Sequence, residues 1–120
     1  MIQDQDFKNF QYNVIGSKSI IKGNLELSGD TIISSCIEGS IEMKDQGQLI
    51  LERGSLVKGK IKASDLEIYG TFEGEINCTG LVSIRSSAQV SGQIKSDRLV
   101  IYPGAIVEMQ AHSQPQEASE

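Results

Sequence analysis

The chain has 120 residues and a formal net charge of −5, enough for one domain and too acidic to displace counterions from a nucleic-acid backbone. Isoleucine and valine together number 22 against 5 alanines, with 12 glycines, 15 serines and no tryptophan, which favours strands and turns and excludes a helical bundle. Hydrophobic residues make up 38%, too many for a disordered chain, and no apolar run reaches the ~18 residues of a membrane span. Residues 1–12 carry Asp4, Asp6 and Lys8 among the apolar Met1, Ile2, Phe7 and Phe10. No charged start leads into an apolar stretch there, so no signal peptide is read and a cytoplasmic protein is expected. From Asn13 onward the pattern aliphatic-x-Gly-x-aliphatic recurs. It appears as Ile21-Lys22-Gly23-Asn24-Leu25, Ile37-Glu38-Gly39-Ser40-Ile41 and Val57-Lys58-Gly59-Lys60-Ile61, then as Phe72-Glu73-Gly74-Glu75-Ile76 and Val90-Ser91-Gly92-Gln93-Ile94. Strips such as Leu49-Ile50-Leu51, Leu66-Glu67-Ile68, Val82-Ser83-Ile84 and Leu99-Val100-Ile101 precede these copies or follow the last. Residues 110–120 are polar and interrupted by Pro115, and a disordered tail is expected.

The strips align on one aliphatic column, Ile15, Ile33, Leu51, Ile68, Ile84 and Ile101, with steps of 18, 18, 17, 16 and 17 residues. A period of about 17 is too short for a helix pair or a propeller blade and suits short strands joined by turns. Aliphatics two apart face inward while the residue between them faces water. Two further inward columns follow: Ile21, Ile37, Val57, Phe72, Val90 and Val107, then Leu25, Ile41, Ile61, Ile76 and Ile94. A smaller one runs Leu27, Met43, Ala63, Cys78 and Ser96. The pattern predicts an all-β, single-domain β-helix of about six coils over residues 13–109, each coil buried only by its neighbours.

The outward residues Lys22, Glu38, Lys58 and Glu73 alternate in sign from coil to coil, which fixes register on a solvated face. Glycine in the turns Arg53-Gly54-Ser55, Tyr69-Gly70-Thr71 and Pro103-Gly104-Ala105 supplies positive φ or a tight corner. Cys36 and Cys78 lack the neighbouring ligands of a zinc site, and they are expected as free thiols packed as small hydrophobes.

Val14-Ile15-Gly16-Ser17, followed by Ile20-Ile21-Lys22-Gly23-Asn24-Leu25 and Ile37-Glu38-Gly39-Ser40-Ile41, resembles the start of a bactofilin domain. The repeated Gly-x-aliphatic steps continue that resemblance to about residue 107. The resemblance implies a right-handed, triangular β-helix that polymerises end to end, head to head and tail to tail, into non-polar filaments without nucleotide. It also implies a bacterial cytoskeletal role, with contacts to the inner membrane surface and to cell-wall or cell-shape machinery. No cofactor, metal or catalytic residue is expected.

The residues lead towards assembly as well. A β-helix leaves unpaired strand edges at both ends unless a cap covers them. Val14, Ile15 and Ile20 at the first coil, and Val100, Ile101, Tyr102, Ile106, Val107 and Met109 at the last, are therefore the candidate polymer interface. Met1, Ile2, Phe7 and Phe10 are the candidate membrane contact, opposed on an anionic surface by Asp4 and Asp6.

The non-enzyme alternative is a discrete oligomeric β-helix scaffold whose tails recruit a partner. The enzyme alternative is a hexapeptide-repeat acyltransferase, also a β-helix, which places a histidine on a coil. The single histidine here, His112, lies beyond the last coil. A glycosidase-like groove would need clustered carboxylates, whereas the acids here alternate with lysines. No Gly-rich phosphate loop followed by Lys and Ser/Thr is present, so no nucleotide is expected, and the acidic balance argues against a nucleic-acid partner.

Overall fold

The computed structural model describes residues 12–16 and 19–117, with side chains described for 14–16 and 19–108. Eleven strands and no helix are found among these residues. Four-residue strands β1 (Tyr12–Ile15), β3 (Asp30–Ile33), β5 (Gln48–Leu51), β7 (Asp65–Ile68) and β9 (Leu81–Ile84) alternate with eight-residue strands. The latter are β2 (Ile20–Leu27), β4 (Cys36–Met43), β6 (Leu56–Ala63) and β8 (Thr71–Cys78). In β10 (Gln89–Ile101) and β11 (Ile106–Glu117) a long and a short segment run together as one strand.

The strands pair in parallel with their counterparts one repeat away, in the order β1-β3-β5-β7-β9-β10-β8-β6-β4-β2, and β11 pairs with β10. That order is a β-solenoid. The long segments form six ranks joined by five coil-to-coil steps, so the path winds about five full turns. The register matches the aliphatic columns: Ile15, Ile33, Leu51, Ile68, Ile84 and Ile101 stack in sequence. Ile21, Ile37, Val57, Phe72, Val90 and Val107 do the same.

Alternation along each strand explains the burial. In β5 and β7 the second and fourth residues are buried and the first and third are not. One core therefore runs through the coils, including Ile33, Leu51, Ile68, Ile84 and Phe72. β-branched side chains fill it because a pleated, half-buried surface suits them. Cys78 stacks on Ala63 in the smaller column, and its thiol is free and buried. Ser96, the last member of that column, is half-buried and lies where β10 shifts register against β11 between Lys95 and Arg98.

The glycine of the repeat has a steric cause. Gly23, Gly39, Gly59, Gly74 and Gly92 stack in one column with φ of 129°, 142°, 140°, 136° and 120°. A Cβ at Gly39, Gly59, Gly74 or Gly92 would land on the carbonyl oxygen of the glycine one coil earlier. At Gly23 the same Cβ would meet nothing within 4 Å, because it belongs to the first rank. Met109 takes the column's last place, opposite Gly92.

The corners come in two lengths. Ser55, Ala88 and Ala105 donate their N–H groups to the carbonyls of Glu52, Arg85 and Tyr102, closing hydrogen-bonded turns at the longer corners. Gly54 and Gly104 supply positive φ in two of these. The shorter corner at Gly70 has no room for a Cβ beside Glu52 and Ser55.

Strand pairing continues past Met109: Gln114 to Glu117 stack on Arg98 to Ile101. Composition alone predicts a disordered tail for this stretch. A free strand edge accepts backbone of any sequence, however, and a proline is tolerated on an outermost strand. The expected tail of residues 1–12 lies outside the described residues except for Tyr12, which begins β1.

The packing can be tested at the glycine column and at the buried thiol. Gly59→Ala combines the strained φ with a collision against the preceding coil and should cost about 2–4 kcal/mol, whereas Gly23→Ala bears the strained φ alone and should cost about 1 kcal/mol. Urea-unfolding midpoints of the two variants measure the difference, and equal losses would refute the steric account. Burial pushes the Cys78 thiol up to about 12 from its ordinary 9.0. The folded state then binds the proton more tightly than the unfolded state. This contribution to stability is fully present below pH ~9 and is lost as pH rises towards 12. In a Cys36→Ser variant, a thiol reagent at pH 8 should label Cys78 only on unfolding.

Candidate functional site

Among the described residues, the places where the solenoid departs from its own pattern are its ends and parts of its outer surface. In the first rank, Ile15, Ile21, Leu25 and Leu27 occupy core columns yet are only partly buried. Their counterparts one coil later, Ile33, Ile37, Ile41 and Met43, are fully or nearly fully buried. Val14 and Ile20 point outward and are 63% and 74% exposed. These residues are strand-formers set by the repeat, and on the described residues they lack the preceding coil that would cover them.

The other end repeats the partial burial, although on its short face one more backbone rank follows. Ile101, Ala105 and Val107 pack against the core only in part, and Ile106 is 56% exposed. Val100 and Tyr102 are half-buried. Val107 lies in β11, the last rank of the long face. Val100 and Ile101 carry one further rank, because Gln116 and Glu117 stack on them. Met109 is in β11 at the level of the backbone, opposite Gly92. His112 is likewise described by its backbone, opposite Lys95. The candidate membrane residues Met1, Ile2, Phe7 and Phe10 lie outside the described residues.

The outer faces hold ordered polar ladders. Lys22–Glu38, Lys58–Glu73 and Lys60–Glu75 form ion pairs at 4.0, 3.8 and 3.8 Å between successive coils. All are solvent-exposed, so each contributes little by itself. Sequence reasoning misses a second network, on the short-strand face. Glu67 accepts hydrogen bonds from the Tyr69 hydroxyl at 2.8 Å and the Gln48 side-chain amide at 3.1 Å, and pairs with Arg85 at 3.4 Å. The Arg85 guanidinium lies 4.1 Å from the Tyr102 ring centre and 5.4 Å from that of Tyr69. The hydrogen bond to Glu67 raises the Tyr69 pKa. The signal is present as Tyr69, Arg85 and Tyr102, each directly after the column aliphatic of its coil, with Glu67 two residues before Tyr69, but it becomes visible only once the coils are stacked.

Carboxylates at the turns and strand starts bind backbone N–H groups, most of them on a neighbouring coil. Asp30 accepts from the Gln48 N–H at 2.8 Å, and Asp65 from the Leu81 N–H at 2.9 Å. Asp45 accepts from the N–H groups of Gly29 at 2.8 Å and Gly47 at 2.9 Å, which lower its pKa, the Gly47 bond most. A groove of about 340 Å³ on the long-strand face is lined by Lys60, Lys62, Glu42 and Glu75 among others. Two of its carboxylates already have lysine partners, Glu75 with Lys60 and Glu42 with Lys44 at 3.4 Å. Among the described residues no group of three or more His, Cys, Asp or Glu side chains is placed to hold a metal ion.

Comparison with known proteins completes the picture. Residues 13–112 match the family model described as "Bactofilin: Polymer-forming cytoskeletal". The chain is 32% identical over 92 residues to Bactofilin BacO of Myxococcus xanthus, covering 77% of this chain and 71% of that protein. It is 27% identical over 97 residues to Bactofilin BacP of the same organism, covering 81% of this chain and 40% of that protein. No solved structure gives a significant match.

Proposed function

The chain belongs to the bactofilin family of polymer-forming cytoskeletal proteins, and from that premise we propose that it assembles end to end, without nucleotide, into non-polar filaments that scaffold cell-shape or cell-wall machinery. The observation that carries this reading is the loss of burial at both terminal ranks. Core-column aliphatics covered in the middle of the solenoid are half-covered in Ile15, Ile21, Leu25 and Leu27 at one end and in Ile101, Ala105 and Val107 at the other. A second copy stacked on either end would bury them and complete the backbone ladder, and association of apolar surface of this kind is favourable. The interface in this reading comprises Val14, Ile15 and Ile20 at one end, and Val100, Ile101, Tyr102, Ile106, Val107 and Met109 at the other. The role is non-catalytic and cytoplasmic. Met1, Ile2, Phe7 and Phe10 supply a weak foothold on the inner membrane face that polymerisation multiplies through avidity.

One observation favours a second reading, a discrete oligomer. The segment Gln114–Glu117, polar and containing Pro115, stacks beyond Ile101, and such a rank closes that end with residues poorly suited to further pairing.

Negative-stain electron microscopy of the purified protein at micromolar concentration, without nucleotide, separates the two. Long thin filaments are expected for the wild type. Val107→Arg places a charge in the last long rank and should abolish them while the β-rich circular dichroism survives; Ile101→Arg should act likewise. Filaments that persist in both variants would remove the C-terminal coil from the interface. Uniform discrete particles from the wild type would establish the oligomer instead.

A further inference from the structure

The outer surface of the short-strand face changes character along the solenoid. Its outward column stacks Val14, Ile32, Ile50, Glu67, Ser83 and Val100 in that order. The fourth and fifth members are polar, as solvent-facing positions should be. The first three are aliphatic, with Val14 exposed and Ile32 and Ile50 half-exposed. They form a flat stripe spanning about 10 Å at the ~4.8 Å strand spacing. Because they point away from the core, the core does not account for three consecutive aliphatics there. A contiguous outward apolar stripe with a polar border marks an interaction surface.

The border is acidic and held in place. Asp30 and Asp45 line the side where the strands begin, each fixed by backbone N–H groups of a neighbouring turn or strand. Glu52 lies on the side where they end, accepting from the Ser34 hydroxyl at 2.9 Å. Glu67 closes the stripe after Ile50, held by Gln48, Tyr69 and Arg85. Of the cations in the same turns, Lys44 is drawn off by Glu26 at 3.5 Å and Glu42 at 3.4 Å, and Arg53 stands at the corner after Glu52.

We infer that Val14, Ile32 and Ile50, with the carboxylates of Asp30, Asp45 and Glu52, form a docking strip for a partner protein segment made of a few aliphatic residues flanked by lysine or arginine. Aliphatic side chains cover the stripe and the flanking cations meet carboxylates already oriented by hydrogen bonds, so little ordering remains to oppose binding. The same border disfavours the other occupants of an apolar face. An anionic lipid surface would meet three carboxylates without a cation partner among the described residues, and a second copy of this face would set like charges against each other. Ile32 and Ile50 lie on the side of the solenoid one and two coils in from the end, so their part of the strip stays open even where assembly covers Val14.

The test uses the full chain and a fluorescein-labelled peptide of about ten residues, four aliphatics flanked on both sides by Lys and Arg, in anisotropy titrations at ~0.15 M salt. Saturable binding is expected. Ile32→Thr/Ile50→Thr, which keeps β-forming residues on the surface, should weaken it about tenfold or more. Asp30→Asn/Glu52→Gln should weaken it similarly and flatten its salt dependence, with circular dichroism unchanged in both. Five outcomes would overturn the inference. The first is absence of binding, and the second is binding untouched by the isoleucine pair, which would be mere charge attraction. The third is equal binding of a peptide with glutamate flanks. The fourth is a rise of about tenfold in affinity on removing residues 1–11, which would make the chain's own N-terminal segment the occupant. Co-sedimentation with phosphatidylglycerol vesicles that depends on Ile32 and Ile50 would likewise replace the peptide with a lipid surface.

Discussion

Where Gly39, Gly59, Gly74 and Gly92 stack, the carbonyl oxygen of each coil occupies the volume that a side chain on the next coil would need. Close approach at this column fixes how one coil sits on another. Once the glycines align, the residues two positions to either side fall into the aliphatic columns, and the residues between them face water. A slip of one residue would reverse every side chain and set Lys58 and Lys60 in the core instead of Val57 and Ile61. The longer and shorter corners absorb the unequal repeat lengths, so the strands themselves need no bulges until the shift between Lys95 and Arg98.

Much of this is legible in the amino-acid sequence because two signals coincide there. Inward aliphatics recur with period two inside a strip, and the glycine recurs once per coil, so strips as different as Val57-Lys58-Gly59 and Phe72-Glu73-Gly74 can be aligned. Features that depend on a neighbour one coil away are not legible. The Asp30, Asp45 and Asp65 carboxylates read as ordinary turn residues until the N–H groups they accept are brought alongside. Ile50 is placed outward by the alternation between Leu49 and Leu51, but that Val14, Ile32 and Ile50 adjoin as one stripe emerges only when the coils are stacked. The stretch Gln110–Glu117 has almost no apolar content, yet its backbone continues the ladder because the edge of β10 supplies partners regardless of side chain.

The burial gradient separates this fold from a globular one. In a compact domain apolar residues become exposed towards the whole surface, whereas here burial is nearly complete around the middle coils and falls off only along the axis. Phe72 and Ile68 are covered by coils above and below, while among the described residues Leu25 and Ile21 have a covering coil on one side only. Lateral faces of the middle coils are thus separate from the ends. The Lys58–Glu73 and Lys60–Glu75 pairs can vary without touching the end surfaces, whereas the Glu67–Arg85 network reaches one end through Tyr102.

The direction of the backbone hydrogen bonds has a mechanical consequence. Bonds such as Tyr69 N–H to Leu51 C=O and Thr71 N–H to Ser55 C=O join one coil to the next, so they lie along the stacking direction. Tension applied along that axis loads all the bonds between two coils together, and no single bond can yield before its neighbours share the force. A sideways pull that peels one corner would instead break them in succession. The solenoid is built to resist stretching far better than unwinding from an end.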